Sequence, residues 1–331
     1  MRIGVIGAGA VGGTFAALLS ESGNEVEITA RGAGLDAIRA GGLRLDGGWG
    51  EHVVKLPANP TLRAKPELAI LATKAQDAAT ALAANATRLE GVPLLVVQNG
   101  LGGLRVAHDE LPNSPLLGGL ALFAASYLEP GRVTVTGANP VILGAGPGAD
   151  DALLARVAGV VGEALPVEVT SDIEGAQWTK LLINHVNALP AITGLSVQEV
   201  IADARLRRIM TASMRETVRI ARATGVHFGK VQGVSGAVLG LVGTLPLGIG
   251  QQFPRLLARR MGHVPNPGST LQSIRRGQLT EIEYLNGAVV QVAAEHEMLA
   301  PVNSAIVEMV HEVEKSGEHL PVDEVARRIR L

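Results

Sequence analysis

Short apolar runs punctuate the first half of the chain, at residues 3–6, 25–29, 68–72, 94–97, 116–123, 132–136, 141–144 and 167–170. Each predicts a strand: 3–6, 68–72, 94–97, 116–123 and 141–144 read as nearly continuous apolar sequence, as strands covered on both faces do, whereas 25–29, 132–136 and 167–170 carry polar residues between their apolar ones. Between them, residues 14–22, 35–40, 76–84, 101–108 and 150–164 carry apolar side chains at helical spacing. Strands alternating with helices predict a mostly parallel, doubly wound α/β sheet. Near Asp172 the texture changes. Helical patterns follow at 173–186, 196–201, 204–224, the 231–261 region, 281–296 and 303–316, with no further strand. The chain thus divides into an α/β domain over 1–171 and an all-helical domain over 172–331.

The first strand runs straight into Gly7-Ala8-Gly9-Ala10-Val11-Gly12, and a helix follows. This strand–glycine turn–helix order suits a dinucleotide. Gly7 permits a tight turn, Gly9 lets the backbone approach a pyrophosphate, and Gly12 lets helix and strand pack closely. The phosphates would lie on open N–H groups at the positive end of the helix. After the second strand, an acidic residue would bind the ribose hydroxyls of NAD or FAD. This chain has Thr29-Ala30-Arg31-Gly32 instead. A guanidinium at Arg31 suits a 2′-phosphate, which favours NADPH over NADH.

Composition narrows the partners. The chain has 331 residues, a net charge of −2, abundant Ala and Gly, and only 2% aromatic residues. Its core is therefore aliphatic, and without a basic stripe nucleic acid is not an expected partner. No cysteine is present, which removes disulfides, thiol nucleophiles and cysteine-ligated metals, and no metal site is expected. A cytoplasmic location is compatible with this usage. Two uncharged runs, 111–128 and 231–252, are interrupted by Pro and Gly and lack the basic flanks of a spanning helix, so no membrane partner is expected.

Three further groups carry chemistry. Thr73-Lys74 and Gln98-Asn99-Gly100 each follow a strand, where the ligand crevice of such a sheet lies. Lys74 could meet the cofactor or an anionic substrate, and Asn99 could bond nicotinamide or substrate. The bland readings are a solvated lysine and a simple turn. Gln177-Trp178-Thr179-Lys180 opens the helical half, with Asn184 four residues after Lys180 on the same face. A lysine in an apolar helix either snorkels or lines a polar cleft. Beside a ketone it supplies positive charge and a proton, and desolvation would lower its pKa toward a useful range. Thr280 is expected to cap a helix beginning at Glu281.

Together these pieces resemble the ketopantoate reductase (2-dehydropantoate 2-reductase) family over nearly the whole chain. The carrying elements are the glycine start, Thr73-Lys74, Gln98-Asn99-Gly100, Trp178-Thr179-Lys180-Leu181 with Asn184, and Arg275-Arg276-Gly277 leading to Thr280-Glu281-Ile282 and Asn286-Gly287. The resemblance implies a Rossmann domain and a helical substrate and dimerisation domain, with NADPH and substrate in the cleft between them. It implies Lys180 as the general acid and Glu281 as a second catalytic or substrate-orienting residue. Asn99, Asn184 and Ser269 would hold the substrate. Lys74, Asn99 and Glu281 would lie near the cofactor, and Arg31 matches the family's 2′-phosphate arginine.

The chain departs from the family pattern after Asn184, near Ser269, and over residues 226–268, which are longer and more apolar than in compact members. His185-Val186-Asn187 follows Asn184 where the family has a second Asn, and Thr270 and Ser273 replace Met and Asp after Ser269. A reductase of another 2-oxo acid is therefore the second reading, and a non-catalytic NADP-binding sensor the third. Apolar residues 238–247 suit a homodimer contact.

Overall fold

The computed structural model describes residues 1–260 and 264–331; Met261, the end of the expected 231–261 helical region, lies outside the described residues. Its contacts divide the chain into two compact units, Met1–Ile173 and Glu174–Leu331.

The first unit contains twelve strands. They are β1 (Arg2–Ile6), β2 (Glu25–Thr29), β3 (Leu43–Gly47), β4 (His52–Val54), β5 (Ala58–Asn59), β6 (Leu68–Leu71), β7 (Leu94–Val97), β8 (Leu116–Ala121), β9 (Ala124–Glu129), β10 (Arg132–Gly137), β11 (Val141–Ala145) and β12 (Val167–Thr170). The helices are α1 (Ala10–Glu21), α2 (Gly32–Gly41), α3 (Ala78–Ala83), α4 (Ala86–Leu89), α5 (Gly103–Glu110) and α6 (Asp151–Gly162). Eight strands form the main sheet, in the order β12-β11-β8-β7-β6-β1-β2-β5. All neighbours are parallel except β8 and β11. This is the Rossmann-type doubly wound sheet, with the central strands β6 and β7 buried at every residue.

A second sheet, β4-β3-β10-β9, was not expected. The run 132–136 lies here and not in the main sheet: β10 pairs with β3 and β9. The run 116–123 also ends early, at Ala121, and the chain continues into β9. These strands are short, partly exposed and rich in polar residues, so they carry little of the apolar signal that marks the central strands.

The second unit is helical among the described residues, apart from an isolated bridge between Val231 and Val234. Its helices are α7 (Ile173–Asn184, whose first residue belongs to the first unit), α8 (Ala188–Thr193), α9 (Val197–Ala202), α10 (Ala204–Ala223), α11 (Gly236–Thr244) and α12 (Leu247–Gly250). There follow α13 (Gln252–Arg260), α14 (Gly268–Arg275), α15 (Asn286–Glu295), α16 (Pro301–Ser316) and α17 (Val322–Arg328). Local chemistry sets several starts. Ser196 and Glu199 form a capping box on α9, and Asp203 accepts two backbone N–H bonds at the start of α10. Its core gathers Leu182, Val186, Met210, Met214, Leu271 and Val310.

One expected helix start is corrected. No helix begins at Glu281: a 3₁₀ turn, Ile282–Tyr284, comes first, and α15 starts at Asn286. The Thr280 hydroxyl accepts the Ile282 N–H at 3.2 Å, closing this turn rather than capping a long helix. No helix of the described residues is long and apolar enough to cross a membrane.

Candidate active site

In the first unit, four loops share one edge. β7, β6, β1 and β2 are parallel neighbours, so the segments that follow them emerge side by side at the carboxyl ends of the strands. These segments carry Asn99, Lys74, the glycine turn and Arg31. The chain leaves β1 toward β2 and later returns to β6 on the other side, so the switch point of the sheet lies at the glycine turn.

The turn is built for close approach. Gly7 has φ of +104°, and a Cβ there would stand 2.9 Å from the backbone N of Thr73. The Gly7 N–H donates to the Thr29 hydroxyl at 3.0 Å, which ties the turn to the end of β2. A Cβ on Gly12 would lie 1.9 Å from the Gly7 carbonyl oxygen, so α1 packs here only with glycine. Gly9 is the N-cap of α1, provides no side-chain cap, and has nothing within 4 Å of a would-be Cβ. Ala8, Ala10 and Val11 line the same turn, half-buried. No acidic residue stands in the first turn of α1. Uncapped N–H groups, open space and the helix dipole fit a pyrophosphate.

Arg31 lies just past β2, exposed, at the N-cap of α2. Glu27 is committed elsewhere on the sheet, accepting from Asn59 Nδ2 and the Arg63 N–H, both at 2.9 Å. The edge therefore offers a cation, not a carboxylate, where the ribose would lie. Lys74 and Asn99 are half-buried on neighbouring loops.

Gln98 joins those two loops and was not among the expected site residues. Its Nε2 donates to Thr73 O at 3.0 Å and approaches Lys74 O at 3.4 Å, while its Oε1 is buried without a hydrogen-bond partner. A buried amide directly after an all-apolar strand was the available signal.

In the second unit, α7 presents Lys180 and, one turn on, Asn184. The helix is held in place by Trp178, buried to 3% exposure, and by the Thr179 hydroxyl, which donates to Gly229 O at 2.7 Å. Burial lowers the Lys180 pKa from its ordinary 10.5 to about 8, and the negative charge of Glu281 acts in the opposite direction. The fold thus brings Lys180 and Glu281, a hundred positions apart in the chain, within electrostatic reach. Ser269 is exposed in the first turn of α14, whose entry Gly268 (φ +74°) packs against Asn187 just after α7.

His185 has a different fate. Burial depresses its pKa to about 4, against the opposing Leu181 carbonyl. Its ring nitrogens meet Leu181 O at 2.9 Å and Thr217 Oγ1 at 2.7 Å. It is a neutral structural link.

Residues 3–148 match the family described as ketopantoate reductase PanE/ApbA, and residues 172–314 match its C-terminal domain. The 2-dehydropantoate 2-reductase of Halobacterium salinarum is 29% identical, across 96% of this chain and 100% of its own. The structure of a PanE/ApbA family ketopantoate reductase from Ralstonia eutropha superposes with a TM-score of 0.82 at 26% identity, across 96% of this chain and 100% of that one. D-mandelate dehydrogenase, solved with NADH and anilino(oxo)acetate, shares the fold at TM-score 0.82 and 22% identity, across 96% and 99% of the two chains. Ketopantoate reductases use NADPH, and the edge described above fits such a dinucleotide. Together, the two domain matches and the sheet edge show that this chain belongs to the ketopantoate reductase family and is an oxidoreductase acting on a CH–OH group.

Proposed function

We propose that the chain reduces 2-dehydropantoate to (R)-pantoate with NADPH, a step of pantothenate and coenzyme A biosynthesis. The observation that carries this reading is the desolvated Lys180 beside Glu281, in a chain that both family domains cover.

Residues 7–12 would hold the pyrophosphate of NADPH and Arg31 its 2′-phosphate, and the cofactor, when bound, would supply the hydride for the ketone carbon. As the ketone oxygen gains negative charge, the Lys180 ammonium stabilises it and donates its proton, ending as a neutral amine. A pKa of about 8 keeps Lys180 protonated near neutral pH yet makes it a far better acid than a solvated lysine. Glu281 supports the charged form of Lys180 and orients the substrate. Asn99, Asn184 and Ser269 bind its hydroxyl and carboxylate, and Lys74 adds positive charge. Lys180→Ala is expected to lose several kcal/mol of transition-state stabilisation while NADPH still binds. Turnover near wild type in that variant would remove Lys180 from this role.

The second reading, another 2-oxo acid, is favoured by the departures at His185, Asn187, Thr270 and Ser273, which lie around the proposed substrate residues. Val238, Leu241, Ile249 and Leu256 are exposed on α11 to α13, and a homodimer would cover this surface. We place the enzyme in the cytoplasm, in keeping with a cysteine-free chain.

A further inference from the structure

The turn that carries Glu281 is tied down on both sides by one imidazole. The Thr280 N–H donates to Glu314 Oε1 at 2.7 Å, and the other oxygen of that carboxylate lies 2.7 Å from His311 Nδ1. On the far side of Glu281, Glu283 Oε1 lies 2.6 Å from His311 Nε2. Gly287 makes room for this bridge, since a Cβ there would stand 2.6 Å from Glu283 Oε2. Both ring nitrogens therefore face carboxylate oxygens. An imidazolium donates to both; a neutral ring donates to one and turns a lone pair toward the other.

We propose that His311 is a positioning residue for Glu281: its protonated ring clamps residues 280–283 to α16 and so holds the Glu281 carboxylate where it supports the Lys180 ammonium. This rests on the reading of Lys180 and Glu281 as the reacting pair. Burial alone would weaken proton binding by the ring, but the hydrogen bonds and charges of Glu283 and Glu314 outweigh it, and the His311 pKa is raised. Glu314 on its own helix and Glu283 on the 3₁₀ turn are the charged groups that act on the ring; α8, α10 and α15, which also pack on α16, add none among the described residues. The clamp is complete below the ordinary histidine value of 6.5 and loosens as pH rises through the raised one.

The test titrates Lys180 directly, by NMR of the full-length protein carrying ¹³C-labelled lysine, in wild type, Glu281→Gln, His311→Phe and Glu283→Gln. Glu281→Gln removes the supporting charge and lowers the Lys180 midpoint. If His311 positions that charge, His311→Phe and Glu283→Gln lower the midpoint in the same direction, by about half a unit or more. The kcat for 2-oxo acid reduction falls with them, while NADPH affinity is kept. A Lys180 midpoint unchanged from wild type in folded His311→Phe and Glu283→Gln overturns the proposal. The readout needs no turnover. If Lys180→Met were to keep its activity, the acid role would fall, and the His311 coupling would still be decided by the titration.

Discussion

Lys180 has opposite effects on activity and stability. Its folded pKa of about 8 lies below the ordinary 10.5, so the unfolded chain binds the proton more tightly. Its contribution to stability is complete above pH 10.5 and is lost as pH falls through 8. At pH 7, Lys180→Met is therefore expected to stabilise the protein by about 1 to 3 kcal/mol, read by denaturant unfolding, while abolishing turnover. Because the acid must be protonated, kcat/KM for reduction should stay level below about pH 8 and fall above it. His185 shows the same sign in the acid range. Its folded value of about 4 against 6.5 predicts that stability declines as pH drops from 6.5 to 4, and His185→Gln should flatten that decline. Arg31→Asp should weaken NADPH binding far more than NADH binding; equal losses would defeat the phosphate assignment.

Among the elements, the turn after β1 is the most demanding. With 1.9 Å between a Cβ at residue 12 and the Gly7 carbonyl, Gly12→Ala must shift α1 or the turn. NADPH titration by fluorescence should show binding reduced at least tenfold, while far-UV dichroism keeps its helical signal. This element was legible because three glycines, a strand and a helix each need the others. Central strands such as β6 and β7 were legible because burial on both faces leaves no polar position. β3, β4, β5 and β9 were not, since short, part-exposed strands resemble loops in sequence. α8 escaped because Pro190 reads as a breaker, yet it stands in the first turn, where no N–H partner is lost. The start of α15 was misplaced because Thr280 and Glu283 mimic a cap, whereas both bond to residues on α16 that are distant in sequence.

At the scale of the whole molecule, each unit has its own aliphatic core, and each carries part of the proposed chemistry. Strand and helix order made the fold class legible, and strand-end positions single out Lys74, Asn99 and Arg31 as candidates. The pairing of Lys180 with Glu281 was not a matter of spacing, because it depends on how α7 and the 280–284 turn pack; it entered through family resemblance. The exposed apolar face of α11 to α13 predicts self-association, so Leu241→Glu should lower the mass seen by analytical ultracentrifugation, and a wild type that is monomeric would contradict this. Substrate identity is tested most directly by steady-state NADPH oxidation with 2-dehydropantoate against a panel of other 2-oxo acids. The highest kcat/KM is expected for 2-dehydropantoate. A clear preference for another 2-oxo acid, or no turnover of any despite tight NADPH binding, would contradict that expectation.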